Sequence, residues 1–486
     1  MKEETESGWE WREHDRTRVL ACLQDGEYEA IMTTGQSELD VLAHLAAELG
    51  ILEAVQILSV ERERAGIPDE LLLRTLAVLP FVEAMGLSAS AKTLFADAAI
   101  LLQLGYTAVE LREGFNNRHG AQATVKSATS LPLHPDVLRQ EMQRLEPESV
   151  ADFRRHCIQQ LYKRKLIKGK VYAVDGSGLS DRWRVVGLLC VVQGAPLWVT
   201  WRLLAGDASE KGKEGSVLFE MVDEVRDIAG EQAIEWLLMD ALYADGPLLV
   251  GLKLKRGIDA LVRLPETRTM YQDLWDLLDW EPQRWQSSWL DVRYVAGRKQ
   301  LREITPGVVA GLTRWPALQE AAQAIGYEEE FSLWGCAIHA RDLNDPTYQE
   351  DWALISTRSF ASGRQAHTFW RKRWLIENSG FREIKEGWHL EKAPWSYTDP
   401  SIVLARITFT LLAFNVAQIA KTKRGKQLTQ TGIRRLRRQL RREVGPAPVI
   451  VFAAGAYGIF NIEEIMVALG KPPAHLLHHG NPVQLE

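Results

Sequence analysis

The sequence predicts an α/β protein: a mixed five-stranded sheet with flanking helices, interrupted by a β-rich insertion and set between helical N- and C-terminal regions. Helical apolar spacing with glycine stop signals dominates before residue 165 and returns after residue 400. Between these regions, the runs VYAVD, WRVVGLLCVVQ and PLWVTWRLLAG are rich in β-branched and aromatic residues. A polar, helix-like stretch and the strand-like run EWLLMD follow, which completes the order of a mixed sheet.

Composition narrows the class of protein. A chain of 486 residues is too long to form one simple hydrophobic core. Its content of 46% hydrophobic and 25% charged residues is typical of a soluble globular protein. The four cysteines lack CxxC spacing, which excludes a zinc ribbon or disulfide framework and favours a reducing, cytoplasmic setting. The apolar run at 402–420 contains Arg, Asn and Gln, so we expect a buried helix and no membrane span.

Two aspartates stand where predicted strands end. Asp175 closes the run VYAVD, and Asp240 closes EWLLMD. If the first and fourth strands pair, these carboxylates are neighbours in space. A third carboxylate, Glu377, lies in the helix-like run at 365–388, directly after WALISTR (352–358), the predicted fifth strand. An inserted β-rich subdomain accounts for the long segment between Asp240 and Glu377.

Three converging carboxylates predict a divalent-metal site. Magnesium is favoured, with manganese as a substitute, because every ligand is an oxygen and no His or Cys is close in sequence. Two ions held about 4 Å apart by shared carboxylates suit phosphodiester chemistry. Asp175 would bridge both ions, while Asp240 and Glu377 would each hold one. Asp245 is a rival ligand, but it falls in the following helix.

Arg373, Trp370 and Lys385 surround Glu377 in the same run. Arg373 lies four residues before Glu377 on the same helix face. Two interpretations stay open: Arg373 forms a salt bridge to Glu377, or it contacts a DNA phosphate together with Lys385. Trp370 offers an aromatic face on which a base could stack.

The segment KTKRGKQLTQTGIRRLRRQLRREVG, at 421–445, is the densest basic run in a protein of net charge −6. A solvated helix is the plain interpretation. The density favours contact with DNA phosphates, which would be sensitive to salt and carry little sequence information. The predicted contacts are Arg434, Arg435, Arg437 and Arg438.

These signals divide the chain into six predicted regions. They are a flexible arm (1–36), a helical region that either packs as a bundle or binds DNA ends (37–165), the first part of the core (166–264), the β-rich insertion (265–347), the second part of the core (348–420) and a basic C-terminal helical region (421–486).

Three motifs, VYAVDGSG, LLMDALYADG and WRKRWLIENSGFREIK, resemble the catalytic motifs of DDE transposases encoded by bacterial insertion sequences. The similarity is greatest to the group with a β-insertion before the glutamate and a Y-x2-R-x3-E-x6-K signature, and it covers roughly 100–415. The resemblance implies an RNase H-like core with Asp175, Asp240 and Glu377 as the catalytic and metal-binding triad. Arg373 matches the signature arginine.

Two positions depart from the signature. Trp370 replaces its tyrosine, and Lys385 lies eight residues after Glu377 instead of seven. In the family, the tyrosine and a tryptophan of the insertion hold a flipped base during hairpin formation at the transposon end. Core packing is the alternative role for any single tryptophan of a chain with 17 of them. The candidates for the second aromatic are Trp280, Trp285 and Trp289.

The resemblance implies a transposase that cleaves double-stranded DNA at transposon ends and transfers the 3′-hydroxyl into target DNA. It further implies a homodimer on DNA, in the bacterial cytoplasm at the nucleoid. Two alternatives stay open: a catalytically inactive, domesticated DNA-binding protein, and an RNase H-like nuclease.

Overall fold

A computed structural model describes most of the chain, which divides into two compact units, Met1–Arg164 with Arg382–Glu486, and Lys165–Phe381. The described residues are 13–34, 37–62, 67–82, 86–107, 133–192, 195–206, 213–295, 298–345, 347–390, 399–429, 431–444 and 448–470.

Helices and strands alternate along most of the chain. The α-helices are α1 (Arg16–Gln24), α2 (Ser37–Glu48), α3 (Ile51–Ala54), α4 (Asp69–Val78), α5 (Leu87–Phe95), α6 (Ala98–Gln103), α7 (Asp136–Gln143), α8 (Pro147–Lys163), α9 (Gly215–Ala229), α10 (Gly246–Val250), α11 (Thr269–Trp280), α12 (Pro316–Ala324), α13 (Gly363–Trp370), α14 (Pro400–Lys423), α15 (Lys426–Thr429), α16 (Ile433–Val444) and α17 (Ile462–Ala468). The strands are β1 (Glu13–His14), β2 (Ala30–Thr33), β3 (Val171–Gly178), β4 (Trp183–Cys190), β5 (Leu197–Ala205), β6 (Trp236–Met239), β7 (Asp259–Leu264), β8 (Trp289–Val295), β9 (Arg298–Leu312), β10 (Leu333–Asp342), β11 (Gln349–Ser356), β12 (Val449–Ala453) and β13 (Ala456–Phe460).

The unit Lys165–Phe381 is built on one nine-stranded mixed sheet, in the order β5-β4-β3-β6-β7-β11-β10-β9-β8. Strands β3, β4 and β5 form an antiparallel meander, as their β-rich sequences predict. Strands β6 and β7 run parallel to β3. The first and fourth strands of this unit, β3 and β6, are therefore direct neighbours, as expected.

The fifth strand of this sheet is β7, and the prediction that 352–358 forms it is wrong. Strand β7 pairs parallel with β6, while residues 352–356 of the run 352–358 belong to β11, which pairs antiparallel with the far side of β7. Both runs are apolar, and the pattern does not give their direction. Strands β8, β9 and β10 of the predicted insertion continue the same sheet beyond β11, and α11 and α12 lie in that region too.

Helix α14 is the central helix of the other unit. By length and composition it could cross a membrane, but 89% of its most apolar 18-residue window is buried inside the protein. It packs against α2, α4, α7 and α8. The apolar run at 402–420 is therefore a buried core helix, as its interrupted sequence predicts.

Strands from the N-terminal segment 13–33 and the C-terminal segment 449–460 form a small sheet of order β1-β13-β12-β2. This corrects two predictions, because residues 13–34 are structured and not an arm, and the C-terminal region contains strands as well as helices. The strands of this sheet are too short to be predicted from the local sequence pattern. Its apolar faces pack on α1 and α17 on one side and on α6 on the other.

A buried acidic residue, Asp40, lies on α2 in this unit. Its side chain is 1% exposed, and burial raises its pKa from 3.8 to about 7, an effect that Gln103 offsets only in part. The nearby Asp97 adds like charge and accepts a hydrogen bond from the Thr34 hydroxyl at 2.6 Å. The folded protein therefore holds a proton on Asp40 that the unfolded chain releases.

We expect Asp40→Asn to stabilise the protein in a pH-dependent way. A raised folded-state pKa makes the wild type lose stability as the pH rises from near 3.8 to about 7, and the amide avoids this loss. The gain over wild type should be roughly 1–3 kcal/mol near pH 8 and close to zero near pH 4. Urea unfolding at both pH values measures it, and an equal gain at both would contradict the assignment.

Candidate active site

Asp240 directly follows β6, as predicted, whereas β3 continues past Asp175 to Gly178, so the prediction that this strand ends at Asp175 is wrong. In the parallel pair β3 and β6, Val171 lies opposite Trp236 and Ala173 lies opposite Leu238. Continuing this register by two residues places Asp175 opposite Asp240. Because neighbouring strands lie about 4.8 Å apart, the two carboxylates emerge side by side.

Backbone donors fix one oxygen of each aspartate. The Gly176 N–H donates to Asp175 Oδ1 at 2.8 Å, and the Ala241 N–H donates to Asp240 Oδ1 at 2.7 Å. Asp240 also caps the short 3₁₀ turn Ala241–Tyr243. The second oxygen of Asp175 faces Arg373 Nη1 at 3.5 Å.

Glu377 and Arg373 approach from an irregular helical segment. After α13, the chain forms a 3₁₀ turn at Arg371–Arg373 and a π-helix at Ile376–Phe381, which carries Glu377. Short π-helical segments occur frequently at functional sites. Both of these irregular segments contact β3.

Arg373 sits among the acidic groups. Its Nη1 atom lies 2.6 Å from Glu377 Oε1 and 3.5 Å from Asp175 Oδ2, and its side chain is only 2% exposed. The guanidinium lies 5.4 Å from the ring centre of Trp370 and 4.9 Å from that of Trp374. Nη1 is in ion-pair contact but lacks hydrogen-bond alignment. The salt-bridge interpretation of Arg373 therefore describes this structure.

The carboxylates act on one another electrostatically. Burial raises the pKa of Asp175 to about 6, and the charges of Glu377 and Asp240 add to this rise. Arg373 and the Gly176 N–H act in the opposite direction. Asp175 and Glu377 thus share one cationic partner, and Asp240 adds a third negative charge near Asp175. This arrangement leaves an excess of negative charge for a bound cation to neutralise.

The donor set fits magnesium, since it consists of carboxylate oxygens. These oxygens are not arranged as a complete metal-binding site. Within the described part of the chain, no three acidic, His or Cys side chains form a group that could hold a metal ion. Arg373 explains this, because its guanidinium contacts both Asp175 and Glu377. Glu377 is about one-third exposed, so its side chain has room to change partner.

Trp370 has a structural position. Its side chain is 4% exposed, and its indole N–H donates to the Met239 carbonyl at 3.3 Å. This bond ties α13 to the end of β6, one residue before Asp240. With its ring buried, Trp370 does not present the stacking face that its place in the signature suggested. Lys385 is half-buried in a second π-helix, Glu383–Gly387, of the other unit.

The three candidate tryptophans of the insertion differ in exposure. Trp280 ends α11 and is 89% exposed. Trp285 packs against Trp275, with ring centres 5.7 Å apart, and Trp289 packs against His367 at 5.5 Å. Trp280 alone of these three therefore offers an open aromatic face.

The sequence analysis did not predict a group of buried polar residues next to Asp175. Buried Glu214 pairs with Arg184 Nε at 2.6 Å, and Arg184 Nη2 donates to the Gly176 carbonyl at 2.8 Å. A Cβ at Gly176 would lie 2.6 Å from the Glu214 side chain, so glycine is required there. Tyr243 is also buried, and the charges of Glu214, Asp175 and Asp240 help to raise its pKa. Its place in ALYAD, directly after Asp240, was the available signal.

The four predicted arginines of the basic helix α16 divide by exposure. Arg434, Arg435 and Arg438 are exposed. Arg437 is 2% exposed, and its guanidinium donates to the Phe81 carbonyl at 2.7 Å. Arg437 therefore anchors the helix and does not present its charge to solvent.

Comparison with known proteins does not assign this chain to a family. No protein-family model and no curated protein matches this sequence. The case for a function rests on the residues themselves.

We expect Arg373→Gln to destabilise the metal-free protein by about 3–5 kcal/mol, because it leaves buried carboxylates without their counter-ion. Magnesium should then raise the Tm of the variant more than that of the wild type. Thermal and urea unfolding with and without the ion measure both effects.

Arg341→Gln is the matched control, since Arg341 is half-exposed and pairs with Glu303 at 2.7 Å in the same unit. Its cost should stay below about 1 kcal/mol. Equal stability of the Arg373 variant and the wild type would refute the counter-ion role.

Proposed function

We propose that this protein is a DNA transposase of the DDE type, which cleaves DNA at transposon ends and joins the freed 3′-hydroxyl to target DNA. The observation that carries the proposal is the register of β3 and β6, which sets Asp175 beside Asp240. Glu377 lies close enough to Asp175 to raise the pKa of that carboxyl further.

The order of strands supports the proposal. The five strands β5-β4-β3-β6-β7 have the arrangement expected of an RNase H-like core, with three antiparallel strands followed by two parallel ones. Residues 265–347 fall between β7 and the segment bearing Glu377, where the resembling transposases carry their β-insertion. Function on such a fold depends on the site, so the carboxylates decide the case.

The chemistry follows from the donor set. Bound magnesium supplies Lewis-acid activation of the attacking oxygen and neutralises charge on the phosphate. Asp175, Asp240 and Glu377 would hold the ion, with manganese as a substitute. The backbone bonds to Asp175 and Asp240 keep one oxygen of each in place. Arg373 holds Glu377 near Asp175 and limits their repulsion.

Both reaction steps are in-line displacements at phosphorus, so one site serves each in turn. In cleavage, water forms a new P–O bond, the bond to the 3′ oxygen breaks, and that oxygen takes a proton. In joining, the 3′-hydroxyl loses its proton and attacks a target phosphate, from which the target 3′ oxygen leaves. Because two transposon ends must meet, we propose a homodimer on double-stranded DNA, at the nucleoid of a bacterial cell.

One observation favours a second candidate, a catalytically inactive DNA-binding protein. Arg373 pairs with both Asp175 and Glu377, and the described residues contain no ready three-ligand group. If that ion pair never opens, the acidic residues stabilise the fold and nothing more. An RNase H-like nuclease would cut DNA but would not join it.

The test is strand cleavage and joining on labelled DNA that carries the element's own ends, with Mg²⁺ or Mn²⁺. Glu377→Gln should lower both activities at least about 100-fold while DNA binding persists, because one carboxylate ligand is lost. Asp181→Asn is the matched control, since Asp181 is an exposed carboxylate of the same unit; it should keep full activity.

The outcomes separate the candidates. Metal-dependent cleavage and joining that vanish in the Glu377 variant support the transposase. Cleavage without joining favours the nuclease. Binding without any cleavage by the intact protein would overturn the enzymatic proposal in favour of the inactive DNA-binding protein.

A further inference from the structure

Helix α16 carries its arginines on two different faces. Its buried face consists of Ile433, Leu436 and Leu440, with Arg437 beside them. Arg435, Arg438 and Arg442 follow at i, i+3 and i+7 and therefore share the opposite face. These three arginines are exposed.

Two ion and hydrogen-bond contacts fix the orientation of this helix. Arg437 donates to the Phe81 carbonyl at 2.7 Å, and Arg441 pairs with the buried carboxylate of Glu38. Together with the apolar face, these contacts prevent the helix from turning about its axis. The direction in which Arg435, Arg438 and Arg442 point is thus set by the fold.

The exposed face forms one wall of a polar groove. Across from it stand Arg424, at the end of α14, and Gln427 of α15. The groove encloses about 400 Å³ and is open to solvent. Arg424 Nε pairs with Glu443 Oε2 at 2.7 Å, while the structure, over the residues it describes, gives Arg435, Arg438 and Arg442 no acidic partner. Three fixed, uncompensated cations therefore face one cavity.

We propose that this arginine groove binds the sugar-phosphate backbone of duplex DNA. Seven residues of α-helix separate Arg435 from Arg442, a span of about 10.5 Å. One strand of duplex DNA has a phosphate about every 3.4 Å along the axis, so this span corresponds to about three phosphate steps, and each of the three arginines can meet a phosphate. Guanidinium forks match phosphate oxygens, and phosphate contacts position a duplex without reading its sequence.

The choice of DNA as the polyanion rests on the proposed function, whereas the affinity for phosphates follows from the groove itself. The groove also changes which arginines are assigned to DNA. Arg424 and Arg442 join Arg435 and Arg438, and the buried Arg437 leaves the set.

The test is fluorescence anisotropy of the full-length protein with a labelled random-sequence duplex over a series of salt concentrations. EDTA is present throughout, so binding is measured independently of the carboxylates and of any cleavage. The variant combines Arg435→Gln, Arg438→Gln and Arg442→Gln. We expect at least a 10-fold loss of affinity, and a slope of log K against log salt reduced by about 2 to 3.

A matched control removes three exposed cations of the same unit that lie outside the groove, Arg18→Gln, Lys92→Gln and Arg144→Gln. Its affinity and slope should stay within about twofold of wild type. A second variant, with lysine at the three groove positions, keeps the charge and should retain most of the salt slope. Unfolding curves of all variants exclude loss of the fold.

Equal losses in the groove variant and the control would overturn the groove, because they would report net charge alone. Groove-dependent binding of heparin with no binding of duplex would overturn the choice of DNA. A protein that binds duplex through the groove but never cleaves it would leave the groove standing and refute only the enzymatic proposal.

Discussion

The buried guanidinium of Arg373 is the contact on which the acidic site depends. Without it, Asp175 and Glu377 would repel each other where burial already raises the pKa of Asp175 to about 6. Trp370 and Trp374 pack around the guanidinium, and Trp370 also bonds to the strand end beside Asp240. One cation and its aromatic neighbours therefore join the helical segment to the sheet.

The same contact explains why the carboxylates have the ligand chemistry of a magnesium site but not its arrangement. The oxygens suit magnesium, yet Arg373 occupies the place where two of them would share an ion. An ion would have to compete with a guanidinium that is 2.6 Å from Glu377. In the proposed enzyme, the ion pairs with Arg373 reduce the repulsion between the metal-free carboxylates until an ion binds.

The strands that carry Asp175 and Asp240 could be predicted from sequence because each aspartate follows an apolar run. The continuation of β3 past Asp175 to Gly178 could not, since the residues Gly-Ser-Gly are not typical of a strand. The position of β7 could not, since direction of pairing has no such pattern. The burial of Arg437 had a signal, as it follows Ile433 by four residues and precedes Leu440 by three on the core face. The pairing of β1 with β13 joins opposite ends of the chain and has none.

The central claim is that three segments far apart in sequence bind one metal centre. Hydroxyl radicals generated at Fe²⁺ bound in place of magnesium cut the nearby backbone, so the cut sites map the ion. Cuts beside Asp175, Asp240 and Glu377, suppressed together by excess Mg²⁺ and absent in Asp240→Asn, are the predicted result. Cuts at only one of these segments, or none that Mg²⁺ suppresses, would contradict a shared metal centre.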